Sequence, residues 1–198
     1  MDLLRTNIIP EYDSLSSVRS LVPIAHSGSI FLFQGEYPVL ASAMQELVDR
    51  FALQESVRII AGGNRISFDR LPLLLGEQAG NVYEILDRIL VSRAESCYQM
   101  QDALASLSPG PVPLVITDFL EAFYEDDLSH KEVTLLLQSC LNRIQQLSEQ
   151  APVLISARAD AARPNLISLL EQFANTRFYF QPPEQIPQPT QATFQWVK

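Results

Sequence analysis

The stretch Val112-Pro113-Leu114-Val115-Ile116-Thr117-Asp118 is apolar on successive residues until its polar end. A strand with one face in water alternates apolar and polar side chains, whereas a strand covered on both faces does not. This stretch therefore predicts a central strand of a parallel sheet with helices on both sides. Parallel neighbours need crossover connections, so helices should separate the strands.

The rest of the chain supplies that alternation. Ile30 to Phe33 is a short apolar run, followed by Gln34-Gly35 and then by Leu40, Met44, Leu47, Val48 and Phe51 at helical spacing. Val57 to Ala61 reads as a second strand ending at Gly62-Gly63-Asn64, with a short helix from Leu71 to Leu75 stopped at Gly76. A helix from Asn81 to Leu86 leads to a third strand, Ile89 to Val91, and a helix from about Ala94 to Leu107 ends at Ser108-Pro109-Gly110-Pro111. After Asp118, a long helix spans about Ser129 to Gln150, with Ser129 and Glu132 spaced as a capping box. A fifth strand from Pro152 to Ser156 and a helix marked by Leu166, Leu169, Leu170 and Phe173 follow. Arg177 to Phe180 and Thr193 to Val197 read as two late strands that pair as a hairpin-like edge across the proline-rich link from Gln181 to Thr190. The fold class is three-layer α/β with a mainly parallel central sheet.

A chain of 198 residues, 47% hydrophobic, buries one sizeable core, so one domain is expected. It divides into a lead-in at 1–28, the α/β core at 29–180, and a Pro/Gln-rich link with an edge strand at 181–198. Its 14 Lys and Arg against 23 Asp and Glu leave a net charge of −9, which repels a polyanion and disfavours autonomous nucleic-acid binding. The N-terminal stretch lacks the basic start and apolar run of an export signal, and no run approaches a membrane span, so a cytoplasmic protein is expected. Cys97 and Cys140 have no CxxC spacing and read as small buried thiols in a reducing compartment.

Ligands of open α/β sheets settle at the carboxyl ends of the strands, which directs attention to the turns after Phe33, Ala61, Asp118 and Ser156. The order strand, glycine, helix, with an apolar strand ending in Asp118 about 80 residues later, resembles the phosphate loop and the magnesium-orienting aspartate of P-loop ATPases. Through VRIIAGGNRISFDRL, ILDRILVSRAESCYQMQDAL, VPLVITDFLEAFYEDD and APVLISAR, the chain is similar to the RecA-like recombinase family, with a fainter extension back to Ile30. The resemblance implies a RecA-like P-loop NTPase fold. It matches Arg70-Leu71 to the pair after the second strand, ILVSRA to the strand and arginine before the next helix, and Asp118 to the magnesium-associated acid, with Phe119 to Phe123 as the apolar stretch after it.

The departures from that pattern bear on activity. A working loop reads GxxxxGK[ST], with amides cradling the phosphates, the lysine on their terminal oxygens and the hydroxyl on magnesium. Here the loop is Gly35-Glu36-Tyr37-Pro38-Val39-Leu40-Ala41-Ser42, with Leu40 and Ala41 where glycine and lysine belong. Glu36 adds negative charge to the cradle and Pro38 removes a backbone donor. The family's catalytic glutamate falls in Gly62-Gly63-Asn64, which has no acid, and Arg158 stands near the polar residue that follows the fifth strand. Gly35, Ser42 and Asp118 are thus read as a vestigial nucleotide site, with plain turn, helix and capping roles as the alternatives.

The remaining polar residues offer no second constellation. Gly62-Gly63 lacks GxGxxG spacing, and His26 and His130 have no metal-ligand spacing around them. Glu121, Glu125, Asp126 and Asp127 form an acidic loop, while Ser92, Ser96 and Ser156 lack a histidine partner. Phe119-Leu120-Glu121-Ala122 fits the Phe-x-x-Ala anchor of the family by accident of position, and the segment Thr193 to Lys198, with Phe194 and Trp196, is the better interface candidate. The expectation is a non-catalytic module without cofactor or metal. It would bind a protein partner, either a RecA-like ATPase or a second copy of itself, in a setting of DNA repair or recombination. The alternative is a nucleotide-binding protein or weak ATPase in which Arg158 or a neighbouring subunit's arginine replaces the lysine.

Overall fold

The computed structural model describes residues 5–10, 25–62, 82–124 and 128–181. Strands β1 (Arg5–Pro10), β2 (Ile30–Gly35), β3 (Val57–Ala61), β4 (Ile89–Arg93), β5 (Leu114–Thr117), β6 (Val153–Ala157) and β7 (Thr176–Gln181) form one sheet in the order β1-β7-β2-β6-β5-β3-β4. Every pairing among them is parallel. The expected three-layer α/β fold with a parallel sheet is therefore present.

Helices α1 (Val39–Gln54) and α2 (Val82–Leu86) cover one face of the sheet, and α3 (Cys97–Ser106), α4 (His130–Ser148) and α5 (Pro164–Phe173) cover the other. A short 3-10 helix, Phe119–Phe123, follows β5. The alternate residues of β2 show why the central strands read as unbroken apolar runs. Ile30 and Leu32 enter the core under α3 to α5, whereas Phe31 and Phe33 enter the core under α1. All four residues of β5 are buried, as its sequence requires. Each large side chain so enclosed contributes about 1.5–3 kcal/mol relative to exposure.

The helices begin where their sequences provide caps. The Ser129 hydroxyl accepts from the Glu132 amide at 3.2 Å, and α4 then buries Val133, Leu137, Cys140, Leu141, Ile144 and Leu147 on one stripe. Only half of the capping box forms, because the Glu132 carboxylate instead accepts from the Tyr98 hydroxyl of α3 at 2.6 Å. The Ser96 hydroxyl caps α3 in the same way, and Pro164 opens α5 at a position where its missing amide costs nothing.

Two features differ from the sequence expectation. Arg5–Pro10, assigned to the lead-in, is the outer strand beside β7. Consequently β7 is not half of a late hairpin edge, since it lies between β1 and β2 and runs parallel to both. The expected helix at Leu71 to Leu75 and the strand at Thr193 to Val197 lie outside the described residues. At the opposite edge β4 bonds to β3 alone among the described strands, and its residues from Leu90 to Arg93 are exposed.

Candidate functional site

The connections locate the site. From β2 the chain passes through α1 on one face, and from the adjacent β6 it passes through α5 on the other. Diverging connections open a crevice at the carboxyl ends of those two strands, the usual ligand position of a doubly wound sheet. Two cavities occupy it. One, of about 20 Å³, is lined by Leu40, Ala41, Met44, Thr117, Asp118 and Ser156, and the other, of about 160 Å³, by Gln34, Gly35, Glu36, Arg158 and Tyr179 among others. The fold thus brings the loop after β2 to Asp118, as the spacing anticipated.

Within that loop the backbone turns inward on itself. The Leu40 amide donates to the Glu36 carbonyl at 3.1 Å and the Ser42 amide to the Pro38 carbonyl at 3.0 Å. These are helical bonds, so donors that a phosphate cradle would present to a ligand are already used. Leu40 is buried to within 2% of its surface, in the core cluster with Met44, Leu47 and Phe51. Gly35 has φ 154°, and a Cβ on it would run into the Phe180 carbonyl of β7. The glycine therefore serves the close approach of β7, its register partner being Phe180.

Asp118 takes a left-handed conformation, φ 50° and ψ 40°, between β5 and the 3-10 helix, and its side chain makes no capping bond to that helix. Asp118 holds the N-cap position through its carbonyl, which accepts from the Glu121 amide at 3.0 Å, and not through its side chain. Its amide donates to the buried Ser156 hydroxyl at 2.9 Å, which ties the ends of β5 and β6 together. On the other side the Gly62 amide donates to the Thr117 carbonyl at 2.7 Å, and a Cβ on Gly62 would collide with the Asp118 carbonyl. The space beside Asp118 and Ala41 is small, about 20 Å³ against the roughly 10–15 Å³ that one water needs.

Arg158, at the end of β6, forms an ion pair with Glu121 of the 3-10 helix, and its carbonyl accepts from the Tyr124 hydroxyl at 2.6 Å. Burial, reinforced by Asp160 and Glu121, pushes the Tyr124 phenol above its ordinary range, so it stays a donor. Among the described residues lining the two cavities, Arg158 is the one cation, and it shares its cavity with Glu36. Glu125 to Asp127, the rest of the expected acidic cluster, together with Gly63, Asn64 and Arg70-Leu71, lie outside the described residues.

The other candidates are dispersed. His26 and His130 are exposed, and His26 bonds locally with Ser29. Among the described residues no three His, Cys, Asp or Glu side chains converge as metal ligands. Cys97 and Cys140 are free and buried, and no described helix is long and apolar enough to cross a membrane. Sequence reading missed Arg58, whose guanidinium donates to the Ser108 and Val112 carbonyls at 2.8 and 2.7 Å and closes the turn before β5. An arginine inside the apolar strand VRIIA was the available signal. With this geometry in hand, the chain matches no family model and no curated protein.

Proposed function

We propose that this chain is a non-catalytic protein-interaction module built on a RecA-like plan, in which the nucleotide site has become part of the core. The observation that carries the reading is the closed loop after β2, whose Leu40 and Ser42 amides are bound to Glu36 and Pro38 and whose Leu40 side chain is buried. Lysine is absent at Ala41, the cavity beside Asp118 is only about 20 Å³, and the larger one beside it carries Glu36, whose charge opposes a phosphate. The one cation among the described residues lining the two cavities, Arg158, is held by Glu121, which argues against its acting as a substitute. The RecA-like resemblance supplies the setting, a protein partner in DNA repair or recombination, and the net charge of −9 favours DNA contact only through that partner.

Phosphate release tests this reading. Purified protein with millimolar ATP and magnesium should release no more phosphate than buffer, and Asp118→Ala should change nothing. Release that scales with protein concentration and disappears in Asp118→Ala would overturn it.

A further inference from the structure

One row across the sheet makes the floor of the larger cavity, about 160 Å³ in volume. Tyr179 of β7, Gln34 of β2 and Ala157 of β6 are register partners, so their side chains share the face beneath α5. Gln34 confirms that face, since its Nε2 donates to Glu171 of α5 at 2.9 Å. Ala157 and Ala159 project only methyl groups, and the space they leave lies between the loop after β2 and the start of the loop after β6. It is large enough for a flat group the size of benzene.

The chemistry of the lining selects a charge and a shape. Arg158 and Glu121 form a closed ion pair on one wall, and Glu171, which holds Gln34, lies 3.8 Å from Arg177. Among the described residues nothing holds the Glu36 carboxylate, the Gln34 Oε1 or the Tyr179 hydroxyl. The uncancelled charge is therefore negative, and it stands beside an aromatic ring that is 41% exposed. A carboxylate, an amide oxygen and an aromatic face together suit a guanidinium, which is planar, donates in a fork and stacks on rings. A phosphate or carboxylate would meet Glu36, and an ammonium lacks the fork. Glu36 and Tyr179 are exposed, so the mouth is open and a side chain can enter while its backbone stays outside.

We infer that this cavity receives one arginine side chain of a protein partner. The net charge of −9 favours a basic partner surface around that arginine. This names the chemistry of the partner in the interaction-module reading and rests on it. Titration of the full chain with a capped pentapeptide holding one arginine between glycines, followed by amide NMR shifts, tests it. Saturable shifts at Gln34 to Glu36 and at Ala159 should give a dissociation constant on the order of 1 mM, as one side chain on a small peptide allows. The citrulline peptide, alike in shape but uncharged, should give none, and the lysine peptide should bind at least about threefold more weakly. Glu36→Gln should weaken arginine binding about tenfold and Tyr179→Leu about threefold. Glu55→Gln, which removes an exposed acid at the far end of α1, should change it by less than about twofold.

No saturable shift at those residues up to about 20 mM peptide, twenty times that constant, overturns the inference. So does equal binding of the citrulline or lysine peptide, or arginine binding unaffected by Glu36→Gln. Free L-arginine that binds more than about tenfold tighter than the peptide assigns the cavity to a small guanidine and overturns the partner side chain. A chain that ignores arginine and releases no phosphate from ATP keeps the module reading without this socket, whereas one that binds arginine and hydrolyses ATP keeps the socket and refutes that reading.

Discussion

The Leu40 amide donates to the Glu36 carbonyl across 3.1 Å, closing the turn after β2 with the bond that a phosphate loop leaves open. The same residue places its side chain in the core beneath α1. A glycine could make the first contact through its own amide but has no side chain for the second. Leu40→Ala should lower unfolding free energy by about 2–5 kcal/mol in urea titrations, as truncation of a buried leucine does. An unchanged midpoint would mean that the loop is not packed.

At Gly35 the constraint comes from β7. Gly35→Ala meets both a positive φ and the Phe180 carbonyl, so it should cost at least about 1–3 kcal/mol and weaken the β2–β7 ladder. Amide hydrogen exchange should show that loss as faster exchange along β7 than along β5.

Ser156 is buried, and its hydroxyl is the acceptor for the Asp118 amide. Ser156→Ala leaves that amide without its acceptor and should cost about 1–3 kcal/mol. Ser156→Thr, which retains an acceptor, should recover part of the loss if the extra methyl is accommodated. Equal stability of wild type and Ser156→Ala would remove this link from the description.

Stability should fall at alkaline pH. Burial, with a smaller push from Cys97, raises the Cys140 thiol from its ordinary 9.0 to about 12. Below pH 9 the thiol is protonated in both folded and unfolded chains, so its contribution is constant. From pH 9 to 12 the unfolded chain loses this proton while the folded chain retains it, and stability declines. Tyr124, also raised by burial, adds a decline that begins near pH 10. Unfolding free energy measured from pH 7 to 10.5 should therefore slope less in Cys140→Ala, and least in Cys140→Ala/Tyr124→Phe.

Much of the fold was legible because buried parallel strands and amphipathic helices leave periodic signals. The β5 run and the stripe of α4 are examples, together with the cap at Ser129. The hairpin expectation for β7 failed because strand neighbours are set by distant pairing. Arg5–Pro10 lies more than 160 residues away in sequence from its partner strand. At the candidate site, the lost lysine and glycine were visible, and the meeting of the segment after β2 with Asp118 followed from their places beyond the carboxyl ends of two strands. The Ser156–Asp118 bond, the Arg158–Glu121 pair and the Arg58 clamp were not legible, since each joins residues whose proximity only the assembled sheet creates.

Titration calorimetry with ATP and magnesium is the most direct measure of whether the closed loop excludes nucleotide. Wild-type protein should give no saturable heat up to millimolar ATP, and Ala41→Lys should not create any, because the Leu40 and Ser42 amides remain bound to Glu36 and Pro38. Saturable micromolar binding by the wild type, abolished by Asp118→Ala, would contradict the reading of this chain as a module without a nucleotide site.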